Sequence, residues 1–278
     1  MGVWRSVSVE TDRLKFHCRM QGDPNGPPML LVHGSFATGR WWEPMLETLP
    51  DSLCVAAPDL RGCGRSDKPD AGYTVAELAA DIEQLVDALG WRDIDLVGHS
   101  TGGAVAIEFA LRRMDLLHTL TLADSVPIRG VYSPPETLRL LAEMRHNRDL
   151  LRRALALLMP TIEPAAQGAD PEPSFFDLLV EDAGQMAPAA FTEMARGVSD
   201  WSRIADANRL TLPTLLIWGE LDTVVNRDDT TRTLLAIPGA NNLEVLRGVG
   251  HSPMIEAPLT FAERLVDFIV QASVSEGD

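Results

Sequence analysis

The stretch Ile94-Asp95-Leu96-Val97-Gly98-His99-Ser100-Thr101-Gly102 joins an apolar run typical of a strand, residues 94–97, to a run typical of a helix, residues 103–113. A sharp turn between a strand and a helix forces its central residue into a strained backbone conformation. Glycines flank such a residue because a Cβ there would collide with the neighbouring elements. The pattern therefore predicts that Ser100 stands at the carboxyl end of its strand, with the first N–H groups of the next helix beside its hydroxyl.

A five-residue pattern alone leaves two interpretations of Ser100 open, a reactive serine and an ordinary glycine-rich turn. A serine hydroxyl is a weak nucleophile near pH 7. It needs a base within hydrogen-bonding distance and a third group that orients this base. The rest of the chain must therefore supply a histidine and an acid at the same edge of the fold.

The composition limits the classes of protein that the chain can belong to. With 278 residues, 45% of them hydrophobic, the chain can build one large core, and one domain with room for an insertion is expected. A net charge of -16 makes nucleic acid and anionic membranes unfavourable partners. Cys18, Cys54 and Cys63 lack disulfide or metal-ligand spacing, and no long apolar run is present, so we expect a soluble cytoplasmic protein.

Strand and helix patterns alternate along most of the chain. Residues 3–10 and 14–20 predict a hairpin, and short apolar runs typical of strands buried on both faces follow at residues 29–32, 54–57, 94–97, 120–123, 214–218 and 243–246. Helical patterns cover residues 74–89, 103–113 and 259–271, the first with a capping signature at Thr74 and Glu77 and with Gly90 past its end. This alternation predicts an α/β fold, a mostly parallel, doubly wound sheet that begins with an antiparallel hairpin.

The alternation stops between residues 126 and 208. Helical patterns at residues 135–146 and 149–158 are followed by a loop-like stretch at residues 163–173, and no strand pattern is evident. We expect a helical cap, inserted after the sixth strand, over the edge of the sheet where open α/β folds bind ligands. The predicted division is a core of residues 1–125 and 209–278 and a cap of residues 126–208. An enlarged crossover that only packs on the sheet is the alternative.

A histidine and an aspartate follow in an order that suits Ser100. His251 lies in a glycine-flanked loop after the last strand pattern, where it could reach across as the base. Asp222 follows the apolar run 214–218, so its carboxylate is expected at the carboxyl edge of the sheet. Asp124, which follows the preceding run, remains the alternative acid.

The sequence His33-Gly34-Ser35-Phe36 follows another strand pattern and predicts a tight turn toward the same cleft. The backbone N–H groups of Ser35 and Thr101 would then form an oxyanion hole. A simple strand-to-loop turn, with His33 as a packing residue, is the alternative. Phe36 is the preferred pocket residue, and further pocket candidates, some of them expected to be ordinary core, are Trp41, Trp42, Met144, Met159, Phe175, Phe176, Met186, Phe191 and Met194.

Taken together, these motifs resemble the α/β-hydrolase fold family, in the branch of esterases, cofactor-free haloperoxidases, lactonases and carbon–carbon bond hydrolases. The resemblance covers nearly the whole chain and rests on residues 33–34, 59–66, 98–102 and 218–222, and on Gly250-His251 with Glu256 and Pro258. It implies a triad of Ser100, Asp222 and His251, an oxyanion hole at Ser35 and Thr101, and no metal or organic cofactor. In this family the segment of Asp59 and Arg61 resembles a loop brace rather than a catalytic pair.

Two departures from the family pattern bear on function. Cys63 stands where histidine is frequent, a position that we interpret as structural. Family members that cleave haloalkanes or epoxides carry aspartate at the position of Ser100, so the serine argues against both reactions. We therefore predict a serine hydrolase that cleaves a carboxylic ester or lactone with an apolar portion. A carbon–carbon bond hydrolase of a diketone-like substrate and a slowly turning small-molecule receptor are the alternatives.

Overall fold

An eight-stranded sheet forms the centre of the molecule in the computed structural model, which describes residues 4–162 and 173–275. Its strands in chain order are β1 (Arg5–Glu10), β2 (Lys15–Gly22), β3 (Pro28–Val32), β4 (Cys54–Pro58), β5 (Ile94–His99), β6 (Leu117–Ala123), β7 (Thr214–Gly219) and β8 (Ala240–Leu246). They lie in the order β1-β2-β4-β3-β5-β6-β7-β8. The strand β5, which ends just before Ser100, therefore lies inside the sheet, between β3 and β6.

The sheet is mostly parallel. The hairpin β1–β2 is antiparallel, β2 pairs antiparallel with β4, and all remaining neighbours are parallel. Because parallel strands end at the same edge, the residues after β3, β5, β6 and β7 are brought to one edge of the sheet. The sequence prediction of a mostly parallel sheet with an antiparallel start is confirmed.

Helices cover both faces of the sheet and fill the connection between β6 and β7. They are α1 (Glu43–Leu46), α2 (Val75–Leu89), α3 (Thr101–Arg113), α4 (Pro135–Met144), α5 (Arg148–Leu158), α6 (Phe175–Gly184), α7 (Ala190–Ser199), α8 (Arg227–Ala236), α9 (Pro253–Glu256) and α10 (Pro258–Ser275). At the start of α2 the side chain of Thr74 accepts the N–H of Glu77, and Gly90 ends the helix with φ of 67°. The Glu77 side chain instead pairs with Arg13, so only half of the predicted capping box forms.

Among the described residues between β6 and β7 there are four helices, α4 to α7, and we call them the helical insert. The helices α4 and α5 occupy the predicted positions. The helices α6 and α7 lie in a part of the insert for which the sequence analysis gave no helix bounds. Most of the predicted loop at residues 163–173 lies outside the described residues. The division of the chain at residues 125 and 209 remains a prediction.

Side chains are buried inside the sheet and partly exposed on its two edge strands, β1 and β8. The side chains of Leu30, Leu96 and Leu120, on the neighbouring strands β3, β5 and β6, are all at most 1% exposed. The expectation that the run 243–246 is buried on both faces is wrong, since Val245 is 37% exposed. The reason is that β8 is the last strand of the sheet and pairs on one side only. Within the described ranges, no helix is both long and apolar enough to cross a membrane.

Candidate active site

Ser100 occupies a strained turn between β5 and α3. Its φ is 54° and its ψ is −121°, in the left-handed region that a residue with a side chain rarely adopts. A glycine is required at 102, because a Cβ there would lie 2.3 Å from the carbonyl oxygen of Val32. The turn therefore presses against the end of β3 and presents the Ser100 side chain to the cavity at the sheet edge.

The loop after β3 lies directly against Ser100. A Cβ at Gly34 would lie only 2.8 Å from the Cβ of Ser100, so no larger residue fits there without movement. Next to it, the hydroxyls of Ser35 and Thr101 are 2.8 Å apart and form a hydrogen bond. The two residues predicted to form the oxyanion hole are thus neighbours on either side of the serine.

His33 fixes the orientation of this loop. The backbone N–H of Leu60 donates to its Nε2 at 2.9 Å, so the proton of the neutral ring is on Nδ1, which donates to the Gly34 carbonyl oxygen at 2.7 Å. Burial lowers the pKa of His33 and keeps the ring neutral. In a trans peptide the C=O and the following N–H point in opposite directions, so the N–H of Ser35 is directed away from His33. The sequence analysis named His33 as a packing residue only in the alternative interpretation of this turn and did not predict this orienting contact.

Asp222 and His251 form a buried hydrogen-bonded pair. The Nδ1 of His251 is 2.8 Å from Oδ2 of Asp222, and their side chains are 2% and 0% exposed. The other carboxylate oxygen accepts the N–H groups of Val224 and Val225. Since the carboxylate accepts, the Nδ1 of His251 carries the proton and its Nε2 is the basic nitrogen.

The charge state of Asp222 follows from its surroundings. Burial by itself raises the pKa of Asp222, but the hydrogen bond to His251 and the charge on that ring bring the net pKa below its usual value. Asp222 is therefore an anion at neutral pH. An ionised carboxylate in this place orients the imidazole and stabilises it when it takes up a proton.

His99 ties the loop of His251 to the turn of Ser100. Burial and the nearby His251 lower the pKa of His99 to about 3, so the ring is neutral. Its Nε2–H donates to the backbone carbonyl oxygen of His251 at 2.7 Å, and the two ring centroids are 5.0 Å apart. No function was assigned to His99 from the sequence, although its position next to Ser100 was a usable signal.

Asp124, the alternative acid, lies behind the pair and not opposite the ring nitrogen. Its Oδ1 accepts the N–H of Gly219 at 2.8 Å, and the structure gives it no hydrogen bond to His251. Asp124, Asp222 and His251 each offer a ligand atom, and these atoms lie within 4.8 Å of one another. A metal ion bound there would have to replace the hydrogen bond between Asp222 and His251.

A largely apolar cavity of about 290 Å³ opens onto Ser100 and His251. Within the described ranges, no arginine, lysine, aspartate or glutamate contributes to its wall. Of the predicted pocket residues, Phe36, Met144 and Phe191 line it, and the rings of Phe36 and Phe191 pack edge to face at 5.6 Å. The lining residues other than Ser35, His99, Ser100, Thr101 and His251 are Phe36, Val126, Val131, Ser133, Leu140, Leu141, Met144, Ala154, Leu155, Leu158, Phe191, Ala195, Val198, Val224 and Val225.

Asp59 and Arg61 do not pair with each other. Asp59 accepts the backbone N–H groups of Gly39 and Arg65, and Arg61 pairs with Asp81 on α2. Both side chains hold loops in place, which agrees with the brace expected from the sequence.

Comparisons with known proteins identify the family. A model described as the alpha/beta hydrolase family matches residues 29–264, most of the chain. The chain therefore belongs to the alpha/beta hydrolase family.

Individual relatives span most of the chain. An uncharacterized protein of Mycobacterium tuberculosis is 31% identical over 276 residues, which cover 91% of this chain and 78% of that protein. The 2-(acetamidomethylene)succinate hydrolase of Mesorhizobium japonicum is 28% identical, covering 85% of this chain and 88% of the relative. The solved structure of an esterase from Exiguobacterium antarcticum has a TM-score of 0.82 at 21% identity, over 95% of this chain and 99% of the esterase, which supports the fold.

Proposed function

We propose that this protein is a serine hydrolase that cleaves an uncharged carboxylic ester or lactone with an apolar portion, through an acyl-enzyme on Ser100. The observation that carries the proposal is the buried pair of Asp222 and His251, whose ring lines the same cavity as the strained Ser100. A serine at such a turn, a histidine that lines the same cavity and an ionised acid on the far nitrogen are the groups that nucleophilic catalysis by serine requires.

In the proposed reaction the Nε2 of His251 accepts the proton of Ser100 while the serine oxygen attacks the substrate carbonyl. The oxyanion accepts the backbone N–H groups of Ser35 and Thr101, each contributing about 3 kcal/mol to stabilisation of the transition state. His251 then donates its proton to the leaving alcohol, and the acyl group remains on Ser100. Water, deprotonated by His251, attacks this ester, and the acid leaves as the proton on His251 returns to the Ser100 oxygen, while Asp222 keeps the ring oriented throughout.

The apolar wall supports an uncharged substrate. A buried carboxylate needs a positive partner or several donors, because desolvating a charge is costly. The described part of the wall provides no cationic side chain. The name of the Mesorhizobium relative specifies a succinate, which carries two carboxylates. We propose that this chain does not share that substrate class.

The decisive experiment is the substitution Ser100→Ala, assayed with a short-chain p-nitrophenyl ester. We expect kcat/KM to fall by at least about 10^4-fold and labelling by a fluorophosphonate to disappear. Ser133→Ala is the matched control, since Ser133 lines the same cavity. It should still be labelled and should change kcat/KM by no more than about threefold. Full esterase activity in Ser100→Ala would refute the proposal.

A substrate screen separates the proposal from its alternatives. Esters of graded chain length and lactones should be hydrolysed faster than vinylogous diketones, whose preferential cleavage would favour a carbon–carbon bond hydrolase. Uniform inactivity, together with a compound that raises the melting temperature, would favour a receptor of this fold.

A further inference from the structure

The buried side chain of Asp124 has one carboxylate oxygen without a hydrogen-bond partner among the described residues. It is fully buried, with 0% of the residue exposed. One oxygen, Oδ1, accepts the N–H of Gly219, but Oδ2 has no donor in the part of the chain that the structure describes. A buried carboxylate oxygen without a donor is costly, and native proteins rarely leave one unpaired.

The ionisable groups around Asp124 offer no compensation for a negative charge. The groups that face it are Asp222, His251 and Glu256, and two of these are acids. Behind them, His99 is neutral. No arginine or lysine within residues 4–162 and 173–275 forms an ion pair with Asp124. His251, the one potential cation, is already paired with Asp222.

We propose that Asp124 is a positioning residue that stays protonated and donates a hydrogen bond from its Oδ2–H to the carboxylate of Asp222. A proton on Oδ2 removes the buried negative charge, and it also lets this oxygen form a hydrogen bond as a donor. Burial and the charge of Asp222 raise the pKa of Asp124 well above its usual value, in agreement with this assignment. The neutral acid then completes the ring of donors around Asp222, which otherwise consists of Val224, Val225 and His251.

The hydrogen bond has a consequence for the base. A carboxylate that accepts an additional strong donor attracts a proton on its neighbour less strongly. With Asp124 in place, Asp222 still orients His251 but stabilises the imidazolium less than an Asp222 without this donor would. This effect rests on the proposed triad, whereas the protonation of Asp124 is argued from its burial, its unpaired Oδ2 and the charge of Asp222.

Two substitutions distinguish a neutral donor from an anion. Asp124→Asn keeps an N–H donor for Asp222 and an oxygen for Gly219, and asparagine tolerates the positive φ of 41° at this position. Asp124→Gly fits the backbone but removes the donor. Asp95→Asn is the control, because Asp95 is a second buried acid whose pKa is raised by burial, and it bonds to Thr119 far from the triad.

The test combines infrared spectroscopy with pH profiles of kcat/KM for a short-chain p-nitrophenyl ester. At pH 7 we expect the wild type to show a carboxylic acid C=O band that Asp124→Asn abolishes and Asp95→Asn leaves in place. In Asp124→Asn the acidic limb of the profile should stay within about 0.3 pH units while kcat/KM falls about threefold. In Asp124→Gly the limb should move up by about one unit, with a loss of at least about tenfold.

Absence of a band sensitive to Asp124→Asn would overturn the proposal. So would a downward shift of the acidic limb in that variant by about one unit, the result expected when an anion is removed. If the proposed function is wrong, Ser100→Ala retains activity while the infrared result still decides the protonation of Asp124. The two failures are therefore distinguishable.

Discussion

The two sides of the cavity are built on different physical principles. The floor consists of Ser100, Ser35, Thr101 and His251, held by short, directed hydrogen bonds and a strained backbone at the sheet edge. The wall from the helical insert consists of aliphatic and aromatic side chains such as Leu158 and Phe191, which contribute apolar area without direction. Directed contacts fix the geometry that a reaction needs, whereas an apolar wall distinguishes substrates mainly by size and charge. Substitutions in the floor should therefore change the rate of the reaction. Substitutions in the wall should change which substrates are preferred.

After Ser100→Ala, the largest effect on the floor is expected from Asp222→Asn, because Asp222 holds His251 from outside the cavity. An amide in this place cannot hold the His251 ring with the same proton arrangement, and it leaves the imidazolium without a charged partner. We expect kcat to fall by about 10^3- to 10^4-fold with KM little changed, as measured on a short-chain p-nitrophenyl ester. The exposed Asp228, substituted in the same way, serves as the control. An active Asp222→Asn variant would indicate that Asp124, and not Asp222, is the acid that supports His251.

A second floor substitution, Gly34→Ala, tests the close approach of the two loops. The added Cβ would meet Ser100 Cβ at 2.8 Å and displace the loop that carries the Ser35 N–H. Loss of one oxyanion donor typically costs about 10^2-fold in kcat. Gly184→Ala, where the nearest atom to the new Cβ is 3.8 Å away, should keep wild-type kcat. Unfolding curves of both variants would show whether Gly34→Ala acts through geometry or through stability.

The wall is tested by a pair of neighbouring leucines on α5. Leu158 lines the cavity, whereas Leu157 is 70% exposed and does not. We expect Leu158→Lys to lower kcat/KM for a hexanoate ester relative to an acetate ester by about tenfold, because a charge replaces apolar contact. Leu157→Lys should leave this ratio unchanged. Equal effects of both substitutions would show that the wall does not contact the acyl chain.

The smallest effect is expected on the stability of the protein, and it comes from the titration of Asp124. A carboxyl group whose pKa is raised on folding keeps its proton in the native state while the unfolded chain releases it, so its contribution to stability is lost as the pH rises. The Asp124→Asn variant lacks this titration. We expect it to gain stability relative to the wild type between pH 5 and pH 8 in urea unfolding. An unchanged difference in stability between the two proteins over this range would indicate an Asp124 that is already ionised.

Much of the fold could be predicted because the deciding signals are local. Alternating patterns indicated β1 and β2, apolar runs of four or five residues indicated β3 to β8, and the capping pattern at Thr74 and Gly90 marked the ends of α2. Ser100, Asp222 and His251 could be singled out because each lies beside a glycine or a strand end, where chain geometry limits the residue types that fit. The prediction weakened at β8, whose exposure depends on its place at the edge of the sheet.

The sequence by itself determined the order of the elements and the residue types available at the carboxyl edge of the strands. Only the tertiary structure decided which of these residues meet. Gly34 approaches Ser100, the N–H of Leu60 holds the His33 ring, and Asp124 is buried against Asp222, at separations along the chain that no local pattern encodes. Hydrogen bonding and burial depend on neighbours in space. The position of Asp124 in the sequence thus made it a candidate for the acid that pairs with His251. Its protonation could be inferred only from its surroundings in the fold.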